Sequence, residues 1–263
     1  PGWTPFKCIN WLASKAIPKN EKANNYLFFE TNKAFYFGSI EYLFKDAYEN
    51  NNYLGEYSTA ISNIRDGSKA VDVNREMFIA SDVSMKSTTD HIRNYTSGYL
   101  SSRLIELDVI NKQYQVKDYD YVTEYKNQFH SSGPGSKAVP VFKEESLRNP
   151  VQNISYYPKN PGLFDNFPNN VNERMTEIHG NRRSSMMDLS NLKMNMTIPG
   201  RTDIQVGSLF YMKYPSLGAD ASKLDRDYSG TYLISAIAHR ITRLKHEITL
   251  EAVKDSLRVD SNE

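Results

Sequence analysis

Apolar positions recur at intervals of three and four near the start of the chain and at intervals of two through most of its last third. In "GWTPFKCINWLASKAIP", Phe6, Ile9, Leu12, Ala13 and Ala16 share one side of a helix. Thr4 stands at the N-cap position, Pro5 takes the first helical position and Pro18 stops the run. Tyr26 to Glu30 and Ala34 to Phe37 read as strands joined by Thr31-Asn32-Lys33, an aromatic hairpin. Helix plus hairpin predicts a small α/β unit over residues 1–60. Leu54, Tyr57, Ile61 and Ile64 fit helical spacing, with a strand as the alternative, and "KAVDVNREMFIASDV" predicts two short strands. A short helix or turn is expected near Asp90 to Ser97. In "GYLSSRLIELDVINKQYQVKDYDYV", Ile105, Leu107 and Val109 share one parity and Tyr114 and Val116 another, which predicts two strands or one bent strand.

The rhythm then breaks. Six of the eleven prolines fall between residues 126 and 173, at 134, 140, 150, 158, 161 and 168, so this stretch lacks the periodicity of a regular element. Phe142, Tyr156, Tyr157, Phe164 and Phe167 are spaced along it as in an arm draped over a neighbour, with a surface insertion as the other reading. "NERMTEIHGNRRSSMMDLS" predicts a helix with Met175, Ile178, Arg182 and Met186 along one side. From there the alternation is that of antiparallel strands. "NLKMNMTI" sets Leu192, Met194, Met196 and Ile198 against polar neighbours, and "VGSLFYMKY" follows after a turn. A turn at Thr242 to Lys245 registers the last two strands, with Leu233, Ile237 and Ile241 on the face of Ile248, Leu250 and Ala252.

The fold class expected is therefore α+β, mainly antiparallel β: a helix-plus-hairpin unit over 1–60, then a β-barrel over 61–263 that carries an inserted arm and helix at 126–186. Leu192, Met194, Met196, Ile198, Leu233, Ile237, Ile248 and Leu250 are the expected barrel core. Pro199, Gly200, Gly207 and Gly230 are the expected structural turns, and the polar strand faces should meet a lumen or a neighbour.

Composition narrows the chemistry. A chain of 263 residues can bury a sizeable core, and a net charge of +1 creates no global field toward nucleic acid or membrane. Eighteen Tyr and twelve Phe favour strands and large contact surfaces. The single cysteine, Cys8, excludes an internal disulfide and a multi-thiolate zinc site, and its place in an amphipathic helix predicts an apolar buried role. No nucleophile elbow, phosphate loop or zinc-protease motif occurs. Of the five histidines, only His239 and His246 fall together, on one face near the last turn and without a third ligand in view. Carboxylates gather at Asp118, Asp120 and Glu124 and again at Asp220, Asp225 and Asp227. Paired carboxylates can hydrolyse glycosides, so a peptidoglycan-cutting role is one alternative; a monomeric glycan-binding β module is another. Otherwise no catalytic, cofactor-binding or metal-binding residue is expected.

Four pieces taken in order carry a resemblance: "WTPFKCINWLASKA" leading into "YLFFETNKAFYFGSIEYLF"; "GYLSSRLIELDVINKQYQVKDYDY"; "LKMNMTIPGRTDIQVGSLFYMKYPS"; and "YSGTYLISAIAHRITRLKHEITLEAVKDSL". The chain resembles the baseplate hub family of contractile-tailed bacteriophages, relatives of the spike-carrying proteins of type VI secretion. The resemblance implies a homotrimer in which each subunit gives two similar barrels, forming a ring between a six-fold tail tube and a three-fold central spike. The chain would span the inter-barrel α/β domain and the second barrel, with a first barrel ahead of Pro1. The resemblance also implies a structural virion protein of the tail baseplate, assembled in the host cytoplasm, that is not an enzyme and has no cofactor. Its implied partners are its own copies, the spike, the tail tube and neighbouring baseplate proteins. DNA would pass through the channel without sequence-specific binding, and no membrane would be involved.

Overall fold

The computed structural model describes residues 2–16, 18, 25–59, 76–87, 98–109, 112–138, 153–158, 170–216 and 224–257. The predictions for 60–64, 69–75 and Asp90 to Ser97, and those for Phe142, Phe164, Phe167 and Asp220, lie outside the described residues. Helix α1 (Pro5–Lys15) precedes the hairpin β1 (Tyr26–Glu30) and β2 (Phe35–Ser39), which runs directly into α2 (Ile40–Glu49). The Ser39 hydroxyl accepts the Tyr42 N–H at 3.1 Å and so starts α2. Ile40, Phe44 and Ala47 are its buried apolar face, a helical spacing overlooked in the sequence behind the aromatic hairpin.

Strands β3 (Tyr53–Thr59), β4 (Ile79–Ala80) and β5 (Asp82–Ser87) belong to a seven-stranded sheet with β10 (Leu192–Pro199), β11 (Leu209–Lys213), β12 (Gly230–Ile241) and β13 (His246–Lys254). Its order is β4-β3-β11-β12-β13-β10-β5. The two end strands are consecutive in sequence and separated only by Ser81, whose N–H donates to the Thr197 carbonyl at 2.8 Å. One strand bent at Ser81 thus pairs with β3 on one side and β10 on the other, and the sheet nearly closes into a barrel. The fold is α+β and mainly antiparallel, β3 being the strand that pairs in parallel with β4 and β11. Residues 54–59 are strand rather than helix, because Tyr57 alternates with exposed Glu56 and points into the barrel.

The barrel is filled by side chains. Tyr57, Met194, Met196, Ile198, Ile204, Phe210, Met212, Tyr232, Ile234, Ile248, Leu250 and Ala252 have almost no solvent exposure and pack as one cluster, with Leu192 at its edge and Ile237 half-buried against it. Leu233 does not join them. The β12–β13 register slips between Ile234 and Ala236, so Ser235 bulges and the faces exchange. Below the bulge Leu233 faces outward beside Val253; above it Ile237 faces inward beside Leu250. Outside the barrel, Leu233, Val253 and Leu209 form a second cluster with Ile40, Phe44 and Ala47 of α2. Ile241 keeps the face of Ile248 and Leu250, opposite His246, but lies beyond the barrel end and is 73% exposed.

The expected turn positions act in different ways. Pro199 ends β10 opposite Glu247. Gly200 leaves room for the His246 ring, since a Cβ there would lie 2.1 Å from its Cγ. Gly207 and Gly230 have φ of +85° and +134°, which only glycine adopts readily.

A second, three-stranded sheet has the order β7-β6-β9, from β6 (Ser101–Asp108), β7 (Gln113–Asp120) and β9 (Asn153–Pro158). β6 and β7 are two separate strands, and β9 pairs in parallel with β6. That part of the expected arm is therefore a strand of its own chain rather than a segment draped on a neighbour. The short helix α3 (Tyr121–Tyr125) follows β7, and β8 (Lys137–Ala138) pairs with β14 (Ser256–Leu257). Helix α4 (Asn170–Asn191) enters β10 without a break. Its mid-helix Gly180 exists for close approach: a Cβ there would lie 2.5 Å from the Tyr119 ring on β7.

Because Ile248 is fully enclosed and Ile241 is not, the two should respond differently to truncation. Ile248→Ala is expected to lower unfolding free energy by about 2–5 kcal/mol. Ile241→Ala should change it by less than about 0.5 kcal/mol. Urea denaturation followed by far-UV circular dichroism measures both.

Candidate interaction surfaces and a buried polar cluster

Two apolar faces are left open to solvent. The first is built by α1 and the β1–β2 hairpin. Cross-strand pairing places Tyr26, Phe28, Phe35 and Phe37 on one hairpin face, and Phe6 of α1 lies 5.8 Å from Phe28 and 6.1 Å from Phe35 between ring centroids. The opposite hairpin face turns Phe29 toward Gly207 and Leu27 into the second cluster. Apolar residues surround α1, and a two-stranded hairpin is too small to cover them. Only Ala13 of the helix is buried; Trp3, Phe6, Trp11 and Leu12 remain exposed beside Phe35 and Phe37. Cys8, expected inside, is exposed for the same reason.

The second open face belongs to the three-stranded sheet. Register sets Ile105 beside Val116 and Tyr156, Leu107 beside Tyr114, and Arg103 beside Asp118 and Ile154. The two parities seen in the sequence thus converge on one face, where Tyr114 is 71% and Tyr156 67% exposed. Val116, Ile154 and Leu107 are exposed with them. Contiguous apolar area of this kind, rich in tyrosine, characterises surfaces that bind other proteins.

The other side of the same sheet meets α4 across a polar layer. The helix was expected to carry Met175, Ile178, Arg182 and Met186 along one side. The side chains of Met175 and Ile178 lie outside the described residues, and Arg182 and Met186 are half-buried. The buried stripe is Asn181, Ser184, Ser185, Asp188 and Asn191. Ser184 donates to the Tyr99 carbonyl at 2.9 Å and Ser185 to Gln128 Oε1 at 2.8 Å. Asp188 Oδ1 accepts from the hydroxyls of Tyr99 and of Tyr121, the latter at 2.9 Å. Burial pushes the Asp188 carboxyl well above the usual carboxylate range, against the hydroxyls of Tyr99 and Tyr121 and the nearby His130, which lower it.

Beside it lies a buried ion pair. His130 Nδ1 is 2.9 Å from Asp255 Oδ2, and its Nε2 is 2.9 Å from the Tyr125 carbonyl oxygen. Both partners only accept, so both ring nitrogens donate and the ring is an imidazolium. Burial opposes that charge, but the Asp255 carboxylate outweighs it and holds the His130 pKa above its ordinary value. Burial likewise opposes the Asp255 charge, while His130 and the Ser131 N–H and hydroxyl keep its carboxyl below the usual range. The Tyr125 ring stacks on His130 at 3.7 Å.

Serine, histidine and aspartate together invite comparison with a hydrolase triad, and the connections exclude it. Ser131 Oγ donates to Asp255 at 2.6 Å instead of to the imidazole, and the nitrogen that would act as base is bound to a backbone carbonyl. Among the described carboxylates considered for glycoside hydrolysis, Asp118, Asp120 and Asp225 each have a structural partner. Asp118 forms a bidentate pair with Arg103, and Asp120 caps α3 by accepting from Thr123. Asp225 accepts the N–H groups of Asp227 and Tyr228 in a tight turn. An open cleft of about 860 Å³ between the 131–136 loop and β3, β11 and β12 offers Glu56, which is ion-paired with Lys213.

His239 and His246 do meet, Nδ1 to Nε2, at 3.2 Å. Among the described residues no group of three or more His, Cys, Asp or Glu side chains could hold a metal ion. Among them, too, no helix is long and apolar enough to cross a membrane.

No family model matches the chain, and no curated protein matches it. Among solved structures it is similar to the tail protein from Neisseria meningitidis MC58, at 8% identity and a TM-score of 0.37, over 77% of this chain and 44% of that one. It is also similar to a chain of the phage P2 baseplate in its activated conformation with Ca, at 11% identity and a TM-score of 0.22, over 65% of this chain and 37% of that one. The chain thus spans less than half the length of each.

The buried cluster sets a pH dependence. His130 has a raised folded pKa, so its contribution is full below its unfolded value of ~6.5 and is lost as pH rises through the folded value. Asp188, also raised, takes up a proton on folding and acts in the same direction. Asp255 is depressed, so its contribution is present above ~3.9 and is lost as pH falls through its folded value. Stability measured by urea denaturation across pH should therefore rise up to about pH 4 through Asp255, fall above it as the Asp188 contribution is lost, and fall further above about 6.5 as that of His130 is lost. Asp255→Asn strands the buried imidazolium and should cost about 3–5 kcal/mol near pH 6. Asp188→Asn keeps an acceptor for the Tyr99 and Tyr121 hydroxyls and should cost less.

Proposed function

We propose that the chain is a structural subunit of a phage tail baseplate, contributing one barrel to the central hub that joins the tail tube to the spike and surrounds the DNA passage. The observation that carries this reading is the pair of open aromatic and aliphatic faces on a barrel whose own interior is filled. Such a molecule has its binding capacity on the outside. Obligate assemblies bury surfaces of this composition, commonly ~2,000 Å² or more. The four ordered sequence pieces support the same reading, since they fall on α1 with its hairpin, on β6–β7, on β10–β11 and on β12–β13. The separate structural uses of Asp118, Asp120, Asp225 and Asp227 favour a non-catalytic protein over a hydrolase.

In this reading the partners are two further copies of the chain, the spike, the tail tube and adjoining baseplate proteins. The protein is a virion component, and DNA passes the channel without base-specific contact. A three-fold ring needs heterologous contacts that close after three steps, and two chemically distinct faces on one subunit suit that requirement.

Sedimentation equilibrium over a range of concentrations tests self-assembly. A species near three times the 30.2 kDa chain mass is expected, on the order of 90 kDa. Replacing exposed Tyr114 and Tyr156 by Ser should shift that species toward monomer while leaving the thermal midpoint unchanged. A single monomeric species of the unaltered chain at every concentration would count against a self-assembling hub.

A further inference from the structure

At one end of the barrel the inward face of the β12–β13 ladder changes from aliphatic residues to imidazoles. Ile237 and Leu250 are paired, then His239 stands opposite Ile248, and His246 opposite Ile241. The two histidines are diagonal neighbours on that face, with His239 Nδ1 3.2 Å from His246 Nε2 and ring centroids 5.4 Å apart. Two imidazole nitrogens bound at ~2.05 Å to one ion stand about 3.3 Å apart at a tetrahedral angle and about 2.9 Å apart at a right angle. The spacing in the chain lies between these limits.

The arrangement is held by backbone. His239 and His246 belong to a continuous antiparallel register from Ala236–Glu251 to Ile241–His246. The Gly200 N–H donates to the His246 carbonyl at 2.9 Å, and the absent Cβ of Gly200 is what lets the His246 ring lie over β10's end. Among the described residues neither ring has a carboxylate partner within ion-pairing distance. Without an ion, one of the two facing nitrogens donates to the other; an ion takes the place of that shared proton, with the protons on His239 Nε2 and His246 Nδ1 and both lone pairs toward the gap.

We propose that His239 and His246 form a two-histidine site for a first-row transition-metal dication such as Zn²⁺ or Cu²⁺, with water completing the coordination. The bound ion clips β12 to β13 at the barrel end, just below the exposed tip at Thr242 to Lys245. This inference does not depend on the assembly reading: the ligands lie within one hairpin of one chain.

The test is calorimetric titration of the untagged full chain with Zn²⁺ at pH 7.5, with electron paramagnetic resonance of the Cu²⁺ complex as a second readout. The expected result is one ion per chain, a copper spectrum showing two coordinated nitrogens, and at least tenfold weaker binding of either metal in His239→Gln and in His246→Gln. His91→Gln and His179→Gln should bind as the unaltered chain does. Far-UV circular dichroism establishes that each variant is folded, which the exposure of His239 favours. Undiminished affinity in either hairpin variant, or no binding of Zn²⁺ or Cu²⁺ by the unaltered chain, overturns the proposal.

Discussion

Two carboxyl groups and one imidazole, all closed off from water, set the terms on which the parts of this molecule meet. A buried charge is tolerable only when it is paired and hydrogen-bonded, and a buried acid without a cation has to stay protonated. Here Asp255 pairs with the imidazolium, while Asp188, raised by burial, accepts the hydroxyls of Tyr99 and Tyr121. That solution fixes geometry. Asp255 ends β13 of the barrel, His130 and Ser131 sit in the loop after α3, and Asp188 sits on the helix that becomes β10. Asp255 is satisfied only when the loop carrying His130 and Ser131 reaches it, and Asp188 only when Tyr99 and Tyr121 do. The layer between barrel and small sheet is therefore specific in a way that a purely apolar layer would not be, since it admits few alternative packings.

The same layer marks where sequence pattern stops being a guide. β10 was legible because one of its faces is fully enclosed and the other is not: Leu192, Met194, Met196 and Ile198 alternate with polar residues without exception. α4 was legible as a helix but not in its orientation, because its enclosed stripe is Asn, Ser and Asp, satisfied by tyrosines that no local window contains. Leu233 was misplaced by one bulge, which a strict two-residue alternation cannot register. Cys8 was expected inside, and it is exposed along with Phe6 and Leu12, because amphipathicity says which residues seek cover, not whether the covering element is large enough. The proximity of His239 to His246 was visible in advance, since turn length alone fixes a hairpin register. The Asp188 cluster was not, since its members are joined only by tertiary contact.

The barrel and its surroundings also divide labour. Inside, large side chains pack as one buried cluster. Outside, one face of β12 and β13 supports α2 through Leu233 and Val253, and the open faces lie on the appended hairpin and the appended sheet. The appended pieces carry the surfaces fitted for contact, while the barrel holds them at fixed separation. Variation in what the protein touches can thus accumulate on the appended elements with little disturbance to the barrel core.

The bend at Ser81 has a consequence for how the chain comes off the ribosome. β3 and the β4–β5 strand are made early, yet their barrel neighbours β11 and β10 lie more than a hundred residues further on. At ~5–20 residues per second, Met85 waits roughly 5 to 22 s and Tyr57 roughly 8 to 30 s after synthesis before the strands that pair with theirs exist. Throughout that interval the nascent chain offers unpaired strand edges and unprotected aromatic rings to anything nearby, including other nascent copies. A protein closed in this order relies on its late strands being delivered promptly, and on chaperones until they are.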